Sequence, residues 1–195
     1  MQDKLDRLKR LYASFDMETA AYRDPAACVK GCAFCCAEAG SIDITTLEGI
    51  NIRRRISKMP RPRQTSVLKA LKRDLKKRQS GQVATCPFLT KTKACMIYDD
   101  RPLACRRIYS LRTCSRDNPP LLSRQVMDAA RDAITALQRL DENGYSGHLS
   151  YVLHLLDNDR FLATYRAGHF KPEEIMDFGR AHKISINKMV CGQGG

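Results

Sequence analysis

Eight cysteines lie between Cys28 and Cys114, and they constrain this chain more than any other feature. The N-terminus alternates charged residues where a signal peptide needs an apolar stretch, and no segment approaches the roughly 18 apolar residues of a membrane span. We therefore expect a cytoplasmic protein that does not contact a membrane. Thiols stay reduced in the cytoplasm, so eight clustered cysteines predict a metal centre rather than a disulfide framework.

The first cysteine block is compact, with Cys28, Cys32, Cys35 and Cys36 on one short segment. Thiolates are soft ligands that suit zinc and iron-sulfur clusters, and a tight loop presents several of them together. Cys35 and Cys36 are neighbours whose side chains diverge in most backbone conformations. We therefore expect at least one of them to belong to a second site or to bridge two sites.

The second block is more widely spaced, and it consists of Cys86, Cys95, Cys105 and Cys114. These cysteines cannot form a compact metal-binding loop by themselves, so the fold has to bring them to the first block. Eight thiols fit two four-cysteine sites, or one site with spare or redox-active thiols. The spacing alone does not decide between these arrangements.

Three strings of residues in these blocks resemble the YkgJ-like cysteine cluster family, whose domain is described as zinc- or iron-chelating. They are Cys32-Ala-Phe-Cys35-Cys36, Cys86-Pro-Phe-Leu and the ordered string Cys95-Met-Ile-Tyr-Asp-Asp-Arg101-Pro-Leu-Ala-Cys105-Arg106. The resemblance covers about residues 28 to 107, and Cys191 has no counterpart in it. It implies metal binding by Cys28, Cys32, Cys35, Cys36, Cys86, Cys95 and Cys105. Cys114 lies beyond the resemblance, and its spacing adds it to the predicted ligand set.

The resemblance extends to the cysteine domain of flagellin lysine-N-methylases, which is associated with an iron-sulfur cluster. It therefore favours an iron-sulfur cluster, of the 4Fe-4S type, over zinc as the cofactor. A four-thiolate centre of either kind carries a net charge of about −2, which nearby guanidinium groups offset. Arg101 and Arg106 stand beside the predicted ligands, so we expect them to contact the cofactor.

Residues 53–78 are strongly basic, because they contain twelve Lys or Arg and the single acid Asp74. Such a segment predicts a surface for an acidic protein or for nucleic acid. It has no aromatic residues on which unpaired bases could stack. A solvated helix face with no partner explains the same pattern equally well.

Hydrophobic periodicity elsewhere is helical, and we see no alternating strand pattern of useful length. The predicted fold class is mainly α: a small irregular helical domain organised around a cysteine-ligated metal centre, with a C-terminal helical extension. The predicted domain spans residues 1–118 and the extension spans residues 119–195. We expect helices at residues 2–16, 46–58, around Val67 to Leu75 with Leu68 on the apolar face, 126–140, 147–157, 159–167 and 172–182.

Two classes of function fit these features. In the first, the metal is structural or is carried, and the protein is an accessory or binding module. In the second, the chain is an iron-sulfur enzyme, such as a protein lysine methyltransferase or a redox catalyst. The absence of a recognisable cofactor pocket favours the first class. A minor alternative is a basic nucleic-acid-binding protein with structural zinc.

The loop Cys28-x3-Cys32-x-Phe34-Cys35 also matches the cluster-binding loop of radical S-adenosylmethionine enzymes. Those enzymes need a barrel of repeated strand and helix units, which this sequence does not predict. The four histidines, His148, His154, His169 and His182, show no zinc-type pairing. We therefore assign no catalytic residue from the sequence.

Overall fold

The computed structural model describes residues 1–23, 25–29, 31–38 and 42–187. The helices in this part of the chain are α1 (Gln2–Glu18), α2 (Phe34–Ala37), α3 (Thr46–Ser57), α4 (Arg61–Gln79), α5 (Leu103–Arg106), α6 (Arg124–Leu140), α7 (Leu149–Leu155), α8 (Asp159–Arg166) and α9 (Ile175–His182). The strands are β1 (Asp43–Thr45) and β2 (Ser146–His148). The prediction of a mainly helical fold is confirmed.

Apolar residues at helical spacing form one hydrophobic core that includes residues from both ends of the chain. Leu5, Leu8 and Phe15 form the buried face of α1, which packs against α6 and α3. Burying a side chain of this size stabilises the fold by roughly 1.5–3 kcal/mol. The helices predicted from periodicity are present, with ends that differ from the prediction by a few residues.

A short sheet, which the sequence did not predict, joins two distant parts of the chain. β1 pairs with β2 in antiparallel register, with Asp43 opposite His148 and Thr45 opposite Ser146. Each strand has only three residues, too few to show a recognisable alternation of apolar and polar side chains. The small sheet is compatible with the predicted, mainly helical fold, and it brings His148 to the start of α3.

The predicted capping box at the start of α3 is present, and its glutamate has a second role. The Thr45 side chain accepts from Glu48 N, and Glu48 Oε2 accepts from Thr45 N at 2.9 Å. Glu48 Oε1 accepts from Tyr12 Oη at 2.7 Å and from Leu103 N at 2.8 Å. Burial raises the pKa of the Glu48 carboxyl, and these donors oppose that shift. One buried carboxylate therefore connects α1, α3 and α5.

The inward face of α4 differs from the predicted one, because Leu68 is 47% exposed. Asp74 and Arg78 are buried beside the apolar residues of this face, and they form an ion pair at 3.0 Å. Ser150 Oγ of α7 also donates to the Asp74 carboxylate. The hydrogen-bonded pair of Asp74 and Arg78 thus occupies part of the inward face of α4, where apolar side chains were expected.

Replacing Glu48 by alanine is expected to lower the free energy of unfolding by about 3 kcal/mol, because three buried donors lose their acceptor. Tyr12→Phe removes only one of the donors and should cost about 1 kcal/mol. Urea unfolding of the purified variants measures both values. Equal losses in the two variants would contradict the role given to the carboxylate.

Candidate metal centre

The eight cysteines of the two blocks come together in space on loops and on two single-turn helices. Cys35 and Cys36 lie on α2, and Cys105 lies on α5. Gly31 has a φ of +91°, a backbone conformation that glycine adopts without strain, and it turns the loop between Cys28 and Cys32. All eight are free thiols, and all except the exposed Cys32 are partly buried.

Four cysteines gather beside the hydrophobic core, and we call them the inner cysteine group: Cys36, Cys86, Cys95 and Cys105. The thiols of Cys36 and Cys86 are hydrogen-bonded, and Cys86 N donates to Cys36 O at 2.7 Å. Besides burial, a negative charge on Cys36 raises the pKa values of Cys95 and Cys105, and a negative charge on Cys95 also raises the pKa of Cys105. Cys86 and Cys95 pack against the core.

The remaining four cysteines form the outer cysteine group: Cys28, Cys32, Cys35 and Cys114. Cys28 shares a hydrogen bond with Cys32, and burial and the charges of Cys32 and Cys114 raise the pKa of Cys28. Ser110 N donates to Cys28 Sγ at 3.3 Å, and Ala27 N donates to Ser110 O at 2.7 Å. These bonds fix the first cysteine loop to the segment that leads to Cys114.

The neighbours Cys35 and Cys36 connect the two groups. The pKa of Cys35 is influenced, after burial, first by Cys36 and then by Cys28 and Cys32, and Cys35 in turn influences Cys105, whereas the main partner of Cys36 is Cys86. Among the described residues, no three side chains of Cys, His, Asp or Glu converge closely enough to hold a metal ion as they stand. Cys191 lies outside the described residues.

Burial and mutual repulsion oppose ionisation of these thiols. Burial raises the pKa of Cys35 to about 11, and the charge of Cys36 adds to the shift. Burial also raises the pKa values of Cys28, Cys95 and Cys105. The hydrogen bond with Cys86 is the main cause of the raised pKa of Cys36. A bound metal cation would reverse these shifts, because it stabilises the thiolate form.

The two predicted cofactor-binding arginines lie beside this region but have other partners. Arg101 stacks on the Tyr98 ring at 4.0 Å and donates to Tyr109 Oη at 2.8 Å, and its charge favours the Cys95 thiolate. Arg106 is buried and donates to the Asp16 carboxylate and to the carbonyl oxygen of Arg101. Arg101 therefore acts electrostatically on a predicted ligand, while the contacts of Arg106 are with α1 and its own loop. Cofactor contact by either arginine stays a prediction.

A small cleft beside the cysteines contains residues that sequence reasoning did not select. Arg78 and His148 line it together with Cys35, Cys36 and Cys86. His148 is buried, and its Nδ1 accepts from Ser150 N at 3.2 Å, so the ring orientation is fixed. No local motif marks either residue, because α4 and the short sheet bring them to the cleft from distant parts of the chain.

A family model for a "Putative zinc- or iron-chelating domain", named CxxCxxCC, matches residues 27–127, which is just over half of the chain. The chain belongs to this family. The CxxCxxCC match includes all eight cysteines of the inner and outer groups together with α4, and it supports metal binding as the role of the domain. It ends before His148.

Two other comparisons add no relative to the CxxCxxCC match: no curated protein and no solved structure matches the chain. Within the described residues, none of the helices is both long enough and apolar enough to cross a membrane.

Metal uptake is expected to release protons, because the raised pKa values keep these thiols protonated at neutral pH until a cation binds. Since binding requires thiolates, apparent affinity should rise with pH between 6 and 8, by up to about tenfold per pH unit for each proton released. Calorimetric titration of metal-free protein with Zn²⁺ in buffers of different ionisation enthalpy measures the number of protons released per metal ion bound. Affinity that does not change with pH would show that thiols are not the ligands.

Proposed function

We propose that this CxxCxxCC protein is a metal-binding accessory protein with two four-cysteine sites, formed by the inner and outer cysteine groups. The cofactor we favour is an iron-sulfur cluster of the 4Fe-4S type, with zinc as the alternative. The observation that carries the proposal is the pattern of electrostatic influence among eight free thiols: Cys36, Cys86, Cys95 and Cys105 influence one another, Cys28 is influenced by Cys32 and Cys114, and Cys35 is linked to both sets.

The chemistry of the donors fits these cofactors. Thiolates are the ligands of structural zinc sites and of iron-sulfur clusters, and four per site satisfies either. Cys35 is influenced by Cys28 and Cys32 as well as by Cys36, while the main partner of Cys36 is Cys86. One thiol of this neighbouring pair is therefore available to each group, which supports two sites rather than one. Arg101 supplies positive charge next to Cys95 of the inner group, where a four-thiolate centre would be anionic.

An accessory role is better supported than catalysis. The described residues contain a single two-stranded sheet, so the barrel of a radical S-adenosylmethionine enzyme is absent from this part of the chain. The cleft beside Cys36 is small, and its polar residue Arg78 is already paired with Asp74. When bound, the metal would supply stability to loops that have little apolar core of their own.

Protein produced with adequate iron and purified without oxygen should be brown, contain acid-labile sulfide and lose visible absorbance on reduction. Iron, sulfide and zinc analysis together with the visible spectrum measure this. Colourless protein with stoichiometric zinc and no sulfide would show that the cofactor is zinc and not a cluster, and it would not contradict the proposed cysteine sites. Folded protein that binds neither metal would refute the proposed function.

Single Cys→Ser variants test the two-site arrangement, because serine has nearly the size of cysteine but is a poor soft ligand. Cys95→Ser and Cys105→Ser should empty the inner site, and Cys28→Ser and Cys114→Ser the outer site, each lowering metal per chain by about half. Cys191→Ser is the control, since Cys191 lies outside the matched segment.

Complete loss of metal in every one of these variants would indicate one shared site. Unchanged metal content in Cys95→Ser and Cys105→Ser, or loss in Cys191→Ser, would contradict the assigned ligands.

A further inference from the structure

One face of α4 is exposed, and it is strongly basic from Lys69 to Lys77, whereas uncharged Thr65 and Ser66 lie exposed nearer the start of the helix. The buried face consists of Val67, Leu71, Asp74, Leu75 and Arg78. Exposed lysines and arginines at helical spacing cover the opposite side of the 19-residue helix. We call this set the α4 basic face: Arg61, Lys69, Lys72, Arg73, Lys76 and Lys77.

The arginines that precede α4 in the basic segment are engaged within the molecule. Arg53 donates to the carbonyl oxygen of Leu156, and Arg55 lies 3.6 Å from the Asp100 carboxylate. Arg54 donates to Gln2 Oε1 at 2.9 Å. These three side chains connect α3 to neighbouring elements. The basic surface that remains available to a partner is therefore smaller than the 53–78 segment predicted from the sequence.

The α4 basic face has no such partners. Within the described chain, none of its six side chains forms an ion pair, and the only acid of α4, Asp74, is buried against Arg78. Like charges three or four residues apart on a helix destabilise it by roughly 0.2–0.5 kcal/mol per pair. The helix dipole offsets this repulsion only in the last turn, at Lys76 and Lys77. A polyanion would remove it along the whole face.

We propose that the α4 basic face binds the phosphate backbone of a nucleic-acid duplex without reading its sequence. At about 1.5 Å per residue the stretch from Lys69 to Lys77 is about 12 Å long, and a duplex of DNA carries one charge per about 1.7 Å of its axis. Positive side chains repeated along a rigid helix match a row of phosphates, which are contacted without regard to base identity.

The composition of the face favours a duplex over other polyanions. It contains no aromatic residue, so it offers no platform for stacking unpaired bases. Protein interfaces depend on aromatic and arginine anchors that are buried in pockets. The large apolar side chain that α4 exposes is Leu68, which is not an anchor of this kind. None of the cysteines belongs to the α4 basic face, so the test of this proposal is independent of the test of the proposed metal sites.

The test compares two variants that remove the same number of charges. Lys69→Gln/Lys72→Gln/Lys76→Gln alters the α4 basic face, and Arg7→Gln/Lys9→Gln/Arg10→Gln alters exposed residues of α1. Glutamine has nearly the helix propensity of lysine and arginine, so both variants should fold. Fluorescence anisotropy with labelled 20-base-pair DNA and RNA duplexes gives the affinity at several salt concentrations, and polyglutamate is the competing acidic polypeptide.

The unaltered protein should bind at least one duplex, with affinity that falls steeply as salt rises. The α4 variant should lose at least tenfold in affinity at low salt, and its salt slope should decrease by about 2–3. The α1 variant should retain the affinity of the unaltered protein. Failure to bind either duplex, an equal loss in both variants, or tighter binding of polyglutamate would overturn the proposal.

Discussion

The buried carboxylate of Glu48 attaches α5, which carries Cys105, to α1 and α3. It accepts hydrogen bonds from α1 through Tyr12, from the start of α3 through Thr45 and from the start of α5 through Leu103. Because α5 is a single turn whose apolar anchor in the core is Leu103, these polar contacts help to fix the position of Cys105. Arg106 adds to the attachment by donating to Asp16 of α1.

This compact arrangement opposes ionisation of the thiols unless a cation joins them. Ionised sulfurs in each group would repel one another, and burial disfavours their charged form, as the raised pKa values of Cys35 and Cys105 show. Metal binding would convert that repulsion into attraction and would add its free energy to that of folding. Under the proposed function, the helical core would hold the two cysteine groups near their ligand positions, and the bound metal would complete each site.

Local patterns predicted the helices well because helical periodicity and capping are properties of neighbouring residues. The apolar spacing of α1 and α6 and the Thr45–Glu48 capping box were visible in the sequence. The short sheet and the exposure of Leu68 were not, since three-residue strands carry too little pattern and Asp74 with Arg78 occupies positions on the inward face of α4. The family strings gave the candidate ligands, but their division into two groups depends on long-range folding. His148 shows this most clearly, because only the pairing of β1 with β2 brings it to the cysteines.

The excess of positive charge in this chain has two separate structural origins. Around the cysteines, Arg78, Arg101 and Arg106 are buried, and each has a carboxylate, hydroxyl or carbonyl partner. These charges belong to the interior, where an unpaired guanidinium would cost several kcal/mol. On the outer side of α4 the charges are exposed, and none of them forms an ion pair within the part of the chain that the structure describes. The same helix therefore contributes Arg78 to the cleft and a free basic face to solvent. Since Asp74 already satisfies Arg78, removing outward charges leaves the interior pair intact, and the two roles of α4 are separable by mutation.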